Sequence, residues 1–210
     1  VGERTREGTA LPAVQISVKD HPEFGQTLSR ADGMFDLAVN GGGTLTVNYA
    51  KTGFLAAQRQ INVPWQDYAA LADVVMVALD AQVSTIAANA PAVQVHQAAP
   101  VTDGDGTRQA VLLFPAGVTA QMVLPNGTTQ PLASLSVRAT EYTVGANGPK
   151  AMPAPLPPTS AYTYAVELSV DEAVAAGATT VTFDRPVPNY VDNFLSFPVG
   201  MAVPTAYYDR

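Results

Sequence analysis

The sequence of 210 residues contains no cysteine. This absence excludes disulfides, thiolate catalysis and cysteine-ligated zinc together. Charged residues make up only 14% of the chain, and 11 Lys and Arg stand against 18 Asp and Glu, for a formal net charge of −7. No basic patch is visible, so we expect no nucleic-acid partner. No apolar run reaches the ~18 residues that a bilayer-spanning helix needs, so we expect no membrane insertion.

Histidine and the familiar catalytic motifs are equally scarce. His21 and His96 are the only histidines, and they lack the close spacing of a two-histidine metal site. We expect His96 to occupy an exposed position on an edge strand. No Gly-x-Ser-x-Gly motif marks a nucleophile. The sequence therefore predicts no catalytic residue and no enzyme, and a hydrolase would require a pocket with converging titratable groups.

Proline and glycine are plentiful, with 17 and 16 residues, and they divide the chain into short segments. Within these segments the apolar residues alternate with polar ones, as they do at Val14, Ile16 and Val18. Alternation with a period of two is typical of half-buried β-strands. We therefore predict an all-β fold of many short strands joined by turns.

The segment 21–37 shows this pattern most clearly. It predicts a short strand, a tight turn at Asp32-Gly33, and a second strand with Phe35 and Leu37 on one face. Asp-Gly is a favoured pair for a type I′ hairpin turn, which needs positive φ angles. The Asp and the Gly are thus expected to serve backbone geometry rather than chemistry.

A change of composition divides the chain near Asp80. The sequence from there to about residue 102 is rich in Ala, Val and Gln and is interrupted by Pro91 and Pro100. At this length one large or two small domains can each bury a core. We predict two consecutive β-sandwich domains, residues 1–80 and 81–210, the second mostly antiparallel with one short helix.

The helix is predicted at residues 171–177. Asp171 can act as its N-cap, and Gly177 can end it. A helix of this length is not stable unless it packs against the rest of the domain. The proline-rich segment 149–158 favours an extended path without ladder donors, and we interpret it as a crossover between strands.

The best candidate for a metal site is the loop 103–107, Asp-Gly-Asp-Gly-Thr. The carboxylates of Asp103 and Asp105, with turn carbonyls, suit a hard cation such as calcium. The loop lacks the later bidentate Glu of an EF-hand, and Asp-Gly pairs are common in ordinary hairpin turns. An ordinary turn is therefore the default interpretation, and a calcium site is the alternative.

Aromatic residues offer a second kind of site. Trp65 is the lone tryptophan, and with Tyr68 it would form a sugar-stacking platform if exposed, although packing against a neighbouring domain is the simpler interpretation. The C-terminal region is also too apolar for a solvated tail. We predict interaction residues in both places: Trp65, Tyr190, Phe194, Phe197, Tyr207 and Tyr208.

Four motifs in the first eighty residues carry a family resemblance. They are His-Pro-Glu-Phe-Gly at 21–25, Ser-Arg-Ala-Asp-Gly-Met-Phe-Asp-Leu at 29–37, Asn-Gly-Gly at 40–42, and Pro-Trp at 64–65. Together they resemble the transthyretin-like module of teneurins and of their bacterial relatives, the Rhs or YD-repeat proteins. More distantly they resemble the carboxypeptidase regulatory-like domain, whose Ser/Thr-x-x-Asp-Gly-x-Phe core appears at 29–35.

The resemblance implies a transthyretin-like β-sandwich over residues 1–80. In teneurins this module precedes a fibronectin-plug domain, a propeller and a YD-repeat shell, so residues 81–210 are expected in the plug region. The segment 111–120, with its Pro-x-Gly turn, also resembles ZU5-type β domains. The self-cleavage site of some ZU5 relatives is not carried over, since no His stands beside 193–197.

From the resemblance we expect a non-enzymatic scaffold fragment of a large exported YD-repeat protein, secreted or on a bacterial cell surface. Its expected partner is the remainder of the parent polypeptide, a YD-repeat shell or propeller, and no cofactor is expected. We expect the chain to be a piece of a longer polypeptide. The alternative is a calcium- or carbohydrate-binding β-sandwich module of a bacterial adhesin.

Overall fold

The computed structural model describes residues 2–153 and 163–207. It confirms the all-β class: short strands in several sheets account for most of the regular structure. The chain forms two compact units. Unit 1 comprises Val1–Leu79, Tyr142–Ala165 and Pro204–Arg210, and unit 2 comprises Asp80–Glu141 and Val166–Val203. The sequence did not predict these discontinuous ranges, and the division into two consecutive domains, residues 1–80 and 81–210, stays a prediction.

Unit 1 is built on a four-stranded antiparallel sheet. Its regular elements are β1 (Glu3–Thr5), β2 (Gln15–Val18), a 3-10 turn (Pro22–Phe24), β3 (Gln26–Leu28), β4 (Gly43–Ala50), β5 (Ala57–Val63), β6 (Val74–Met76) and α1 (Gly148–Ala151). The sheet order is β3-β2-β4-β5, and β1 and β6 form a separate parallel pair. The strand predicted from Val14, Ile16 and Val18 is β2, and the first strand predicted within 21–37 is β3. β1 has too little alternation for the sequence to reveal it.

The alternation along these strands produces the core of unit 1. Side chains on one face of β2 and β4 are buried together with side chains from β5 and β6. Phe35 packs edge-on against Tyr49, with ring centroids 6.0 Å apart. The main core cluster consists of Leu11, Val14, Ile16, Val47, Tyr49, Ala57, Val74 and Met76.

The predicted type I′ turn at Asp32-Gly33 is wrong in type. The N–H of Gly33 donates to the carbonyl of Arg30, and the N–H of Arg30 donates to the carbonyl of Met34. Only Gly33 of the Asp-Gly pair has a positive φ, of 82°. The loop is therefore a three-residue turn that ends in a left-handed glycine. A Cβ at residue 33 would lie 2.5 Å from the carbonyl oxygen of Glu3, so close approach also requires glycine.

The second predicted strand of this motif is not hydrogen-bonded as a strand. Residues 35–40 have no ladder partner in the described part of the chain, although Phe35, Leu37 and Val39 are half-buried and the residues between them are exposed. The alternation predicted which side chains face the core. It did not predict the ladder, because burial of one face requires an extended chain but not a paired neighbour.

A later segment of the chain completes unit 1. Tyr142, Ala151 and Met152 are buried in a cluster with Leu55, Val75 and Val77. Backbone carbonyls of the same segment accept hydrogen bonds from β5. Those donors are the Arg59 guanidinium, whose Nη2 lies 2.6 Å from the Lys150 oxygen, and the Gln58 N–H, 3.3 Å from the Pro153 oxygen. Part of the predicted crossover thus packs on β5, and residues 154–158 lie outside the described residues.

Unit 2 contains the remaining strands, paired antiparallel. They are β7 (Ser84–Ala87), β8 (Gln94–Gln97), β9 (Val101–Asp103), β10 (Gly106–Arg108), β11 (Ala110–Phe114), β12 (Ala120–Val123), β13 (Thr129–Leu132), β14 (Ser134–Glu141), β15 (Val166–Val170), β16 (Thr180–Phe183) and β17 (Asn189–Val191). Three three-stranded sheets have the orders β17-β11-β8, β13-β12-β16 and β15-β14-β7, and β9 pairs with β10. All three sheets contribute to one core of Ile86, Leu112, Phe114, Val118, Ala120, Met122, Leu132, Leu135, Val137, Val170 and Ala173.

The predicted short helix is α2 (Asp171–Ala175), which buries Ala173 against this core. Gly177 follows it with a φ of 64°. The predicted capping role of Asp171 is wrong: Val170 holds the N-cap position. The Asp171 carboxylate instead accepts hydrogen bonds from the Arg138 guanidinium at 2.8 and 2.9 Å, which ties the helix to β14. No helix in the described part of the chain is long and apolar enough to cross a membrane.

Candidate interaction surfaces and buried polar clusters

The loop after β5 presents the only tryptophan to solvent. Trp65 is 70% exposed and Tyr68 is 97% exposed. A glycine turn fixes the base of the loop: the N–H of Gly42 donates to the Val63 carbonyl at 2.7 Å. A Cβ atom on Gly41 would lie 2.0 Å from the Pro64 oxygen, so only glycine allows this approach. The predicted interaction residue Trp65 thus stands on a well-defined loop, and Tyr68 extends the same surface.

In unit 2 the predicted aromatic residues differ in accessibility. Tyr190 lies on the edge strand β17 and is 58% exposed. Phe194 and Phe197 are half-buried in the loop that follows. The Asn193 side chain closes this loop, because its amide donates to the Phe197 carbonyl and its oxygen accepts from the Phe197 N–H. Tyr190 is therefore more exposed than the two phenylalanines.

The stretch from Pro198 to Tyr207 is exposed throughout. It begins with a turn in which the Met201 N–H donates to the Pro198 carbonyl at 3.0 Å. Large apolar side chains then remain in solvent, with exposed fractions of 55% at Met201, 50% at Val203 and 91% at Tyr207. The predicted interaction residue Tyr207 belongs to this stretch, and Tyr208 lies outside the described residues. Val199, Met201 and Val203 extend the exposed apolar stretch beyond the aromatic residues that the sequence indicated.

The loop predicted as a possible calcium site forms a two-residue hairpin between β9 and β10. Both oxygens of Asp103 accept hydrogen bonds from the Arg108 guanidinium, at 2.6 and 2.9 Å. Asp105 donates its N–H to Asp103 Oδ1. Among the described residues no group of three or more His, Cys, Asp or Glu side chains is arranged to hold a metal ion. A calcium ion at this loop would have to share Asp103 with a guanidinium.

Arg108 is the centre of a buried charge cluster that the sequence did not reveal. Its side chain is 1% exposed, and Nη2 also donates to Glu141 Oε1 at 2.6 Å. The hydrogen bond from the guanidinium to Asp103 raises the pKa of Arg108, and the one to Glu141 raises it further, although burial opposes both. The guanidinium carbon lies 4.6 Å from the ring centroid of Phe194, within cation–π distance. The cluster thus binds β10, β14 and the loop after β17 together.

Unit 1 contains a buried carboxyl group of a different kind. Glu3 on β1 is fully buried, and neither carboxyl oxygen has a hydrogen-bond partner among the described residues. Burial raises the pKa of Glu3 to about 8, and the charge of Arg59 opposes that shift. The Tyr49 hydroxyl is likewise buried without a partner there, and burial raises its pKa. Unit 1 therefore holds a carboxyl group that is mainly neutral at pH 7.

The expectation of an exposed His96 is wrong. β8 is indeed an edge strand, but His96 is fully buried, because its side chain points into the unit rather than to solvent. Nδ1 lies 3.0 Å from the Ser84 hydroxyl, and Nε2 has no hydrogen-bond partner among the described residues. Burial lowers the pKa of His96, with the charge of Asp80 acting in the opposite direction. His21, in contrast, is half-buried just before the 3-10 turn, and its Nδ1 lies 2.8 Å from Glu23 Oε1.

Comparison with known proteins identifies the first part of unit 1. Residues 3–76 match the family model described as the teneurin TTR-like domain. The chain is 38% identical over 72 residues to Teneurin-3 of Danio rerio, and the alignment covers 34% of the chain. It is 40% identical over 72 residues, again 34% of the chain, to Teneurin-m of Drosophila melanogaster. The chain spans about 3% of the length of these relatives. Residues 3–76 are a transthyretin-like module of the teneurin type.

Proposed function

We propose that this chain is a non-enzymatic scaffold of a large, exported YD-repeat protein of the Rhs or teneurin-like kind. Its role is to pack against the remainder of the parent polypeptide, a YD-repeat shell or propeller, in a secreted or cell-surface protein of bacterial origin. The observation that carries the proposal is the exposed apolar stretch 198–207, which leaves Met201, Val203 and Tyr207 in solvent.

Exposed apolar side chains are ordinary when they are scattered, but a contiguous group indicates an interaction site. Residues 198–207 form such a group along the chain, and no charged residue interrupts them. Tyr190 contributes a further exposed ring in unit 2. In unit 1 the loop of Trp65 and Tyr68 supplies a second exposed aromatic surface. Aromatic residues are enriched at protein interfaces, which supports a docking role for both places.

The buried polar groups support a structural role. Arg108 is engaged by Asp103 and Glu141, and Arg138 by Asp171, and each pairing joins separate elements of unit 2. The Glu172 carboxylate accepts two hydrogen bonds from Ser136 of β14, one from the Ser136 N–H and one from the Ser136 hydroxyl, both at 2.8 Å. These side chains position strands and a helix relative to each other. Their chemistry is therefore used inside the fold.

Hydroxyl-radical footprinting of the intact parent protein tests the docking proposal. Tyr190, Met201 and Tyr207 are expected to react several-fold more slowly than their exposure in this structure implies. Leu28 and Leu168, which are exposed at 57% and 47% on strands outside the proposed surfaces, serve as internal controls. If the reactivity of all three side chains matches their exposure in this structure, as that of the two leucines does, docking is contradicted.

A further inference from the structure

The stretch after the turn at Pro198 has the pattern of a strand. Large or β-branched side chains stand at positions 201, 203, 205 and 207, and Ala202, Pro204 and Ala206 stand between them. In a β-strand the odd set would share one face, and the small set would share the other. Met201, Val203 and Tyr207 are all exposed, so this apolar face lacks cover within the described residues.

The backbone of the same stretch is also unpaired within residues 2–153 and 163–207. Residues 202–207 donate and accept no backbone hydrogen bond with another described residue. The N–H of Met201 donates to the Pro198 carbonyl in the preceding turn. Exposed strand edges of soluble proteins are normally protected by charged residues, bulges or proline. Residues 201–207 contain no charged residue and one proline.

The position of that proline makes the two edges of the stretch different. Successive residues of a strand direct their N–H and C=O groups to opposite edges. Pro204 lacks an N–H, and this gap lies on the edge shared with residues 202 and 206. The other edge carries the complete set of N–H groups of Val203, Thr205 and Tyr207. Proline is tolerated in edge strands when its position faces away from the ladder.

We propose that residues 201–207 add as an edge strand to an open sheet edge in the remainder of the parent polypeptide, pairing through residues 203, 205 and 207. This inference rests on the proposed docking function and specifies how the docking occurs. Strand addition satisfies the backbone groups through main-chain hydrogen bonds, while the alternating side chains of Met201, Val203 and Tyr207 fill apolar sites beside the acceptor strand.

The acceptor is assigned to the parent polypeptide because of chain length. The teneurins that match this chain are far longer, since the chain spans only about 3% of them. A parent of that kind has most of its residues outside the present chain. A second copy of the chain is the competing acceptor, and the experiment separates the two.

Residue-resolved hydrogen exchange in the intact parent protein tests the pairing. The amides of Val203, Thr205 and Tyr207 are expected to exchange at least about 100-fold more slowly than those of Ala202 and Ala206. Oxidation of Met201 by hydrogen peroxide is measured in the same protein and reports side-chain burial independently of the backbone. Slow exchange at the three odd positions together with slow oxidation supports strand addition.

Two proline variants provide a matched pair. Thr205→Pro removes an N–H on the proposed pairing edge, whereas Ala206→Pro removes one on the edge that already contains Pro204. Both positions are exposed and lie outside every strand of the two units, so both variants leave the folds intact. We expect Met201 oxidation to accelerate several-fold in Thr205→Pro and to stay at the wild-type rate in Ala206→Pro.

Other outcomes overturn the proposal in distinguishable ways. If Met201 is shielded while the odd and even amides exchange equally fast, docking stands and strand addition is wrong. If Met201 oxidises at the rate of an unstructured peptide and all amides exchange fast, docking of this stretch fails as well. If protection appears only as the protein concentration rises, the acceptor is a second copy and the assignment to the parent chain is wrong.

Discussion

The two units bury ionisable groups in opposite ways. Unit 1 encloses Glu3 with no hydrogen-bond partner among the described residues, and burial raises the pKa of its carboxyl group to about 8. Unit 2 encloses Arg108, which stays charged because Asp103 and Glu141 surround it. Burial without a partner favours the neutral form, whereas burial with counter-charges favours the charged form. The units should therefore differ in how substitution and pH change their stability.

The largest expected effect is in unit 2, for Arg108→Met. The variant leaves the buried carboxylates of Asp103 and Glu141 facing each other without a cation. Removing one partner of a buried ion pair costs about 3–5 kcal/mol. The free energy of unfolding of unit 2, measured by hydrogen exchange of β11 and β14 amides in increasing urea, is expected to fall by that amount.

A surface pair provides the control for Arg108→Met. Arg185 pairs with Asp184 at 2.8 Å, and both side chains are well exposed, at 46% and 36%. Exposed pairs contribute about 0–1 kcal/mol, so Arg185→Met should change the stability of unit 2 little. Equal small losses for the two arginines would show that the buried cluster does not stabilise unit 2.

The next effect is the pH dependence of unit 1. The Glu3 carboxyl has a pKa of about 8 in the folded protein, against the ordinary value of 4.5. At a pH between these two pKa values, unfolding releases a proton. The stability that Glu3 contributes is therefore fully present below about pH 4.5 and is lost as the pH rises towards 8. The expected slope approaches 1.4 kcal/mol per pH unit. Arg59, Asp73, Tyr49 and the N-terminus are the ionisable groups that act on or respond to Glu3.

Glu3→Gln isolates this contribution because the amide has a similar shape and does not titrate. Between pH 5 and 8 the unfolding free energy of the wild type, measured relative to the variant, is expected to fall as the pH rises, with a slope that approaches about 1.4 kcal/mol per pH unit. Hydrogen exchange of β2 and β4 amides reports it for unit 1. A constant difference across this range would mean that Glu3 is ionised in the folded unit.

A smaller effect of opposite sign is expected in unit 2. Burial lowers the pKa of His96 in the folded protein, and the Asp80 charge offsets part of the shift. Stability from this group is present above about pH 6.5 and is lost as the pH falls through the folded value. Acidification should thus favour unit 1 through Glu3 and disfavour unit 2 through His96. His96→Gln retains a hydrogen-bonding side chain opposite Ser84. In this variant the stability of unit 2 should no longer fall with acidification through this position, and its value at neutral pH should stay unchanged.

The sequence predicted some of these features for physical reasons and missed others. Alternation at Val14, Ile16 and Val18 predicted a buried strand face, because a period of two is a local property. The same signal is present at Phe35, Leu37 and Val39, but it does not encode whether a neighbouring strand is available. Family motifs at 29–37 and 64–65 identified the transthyretin-like module, although the turn type depended on the close approach of Gly33 to Glu3.

The burial of these polar groups could not be predicted, because it depends on residues that are distant in sequence. Arg108 and Glu141 are separated by 33 residues, and nothing local marks either as buried. His96 shows the same limit: its strand lies at an edge, as expected, but which face of the strand turns inward depends on Ser84 and on the other sheets of unit 2. The exposure of apolar residues such as Met201 is likewise not encoded in their composition.

The smallest expected effect concerns calcium, and it follows from the cation that unit 2 already encloses. Because the Arg108 guanidinium occupies both oxygens of Asp103, millimolar calcium should raise the melting temperature by less than about 1 °C. Asp105→Ala is the suitable variant, since Asp105 contributes only its backbone N–H to Asp103 and the ion cluster stays intact. A larger rise in the wild-type protein that disappears in Asp105→Ala would make the 103–107 loop a metal site, and unit 2 would then neutralise Asp103 with two different cations. Equal melting temperatures with calcium and with a chelator, in both proteins, would leave Arg108 as the cation of this cluster.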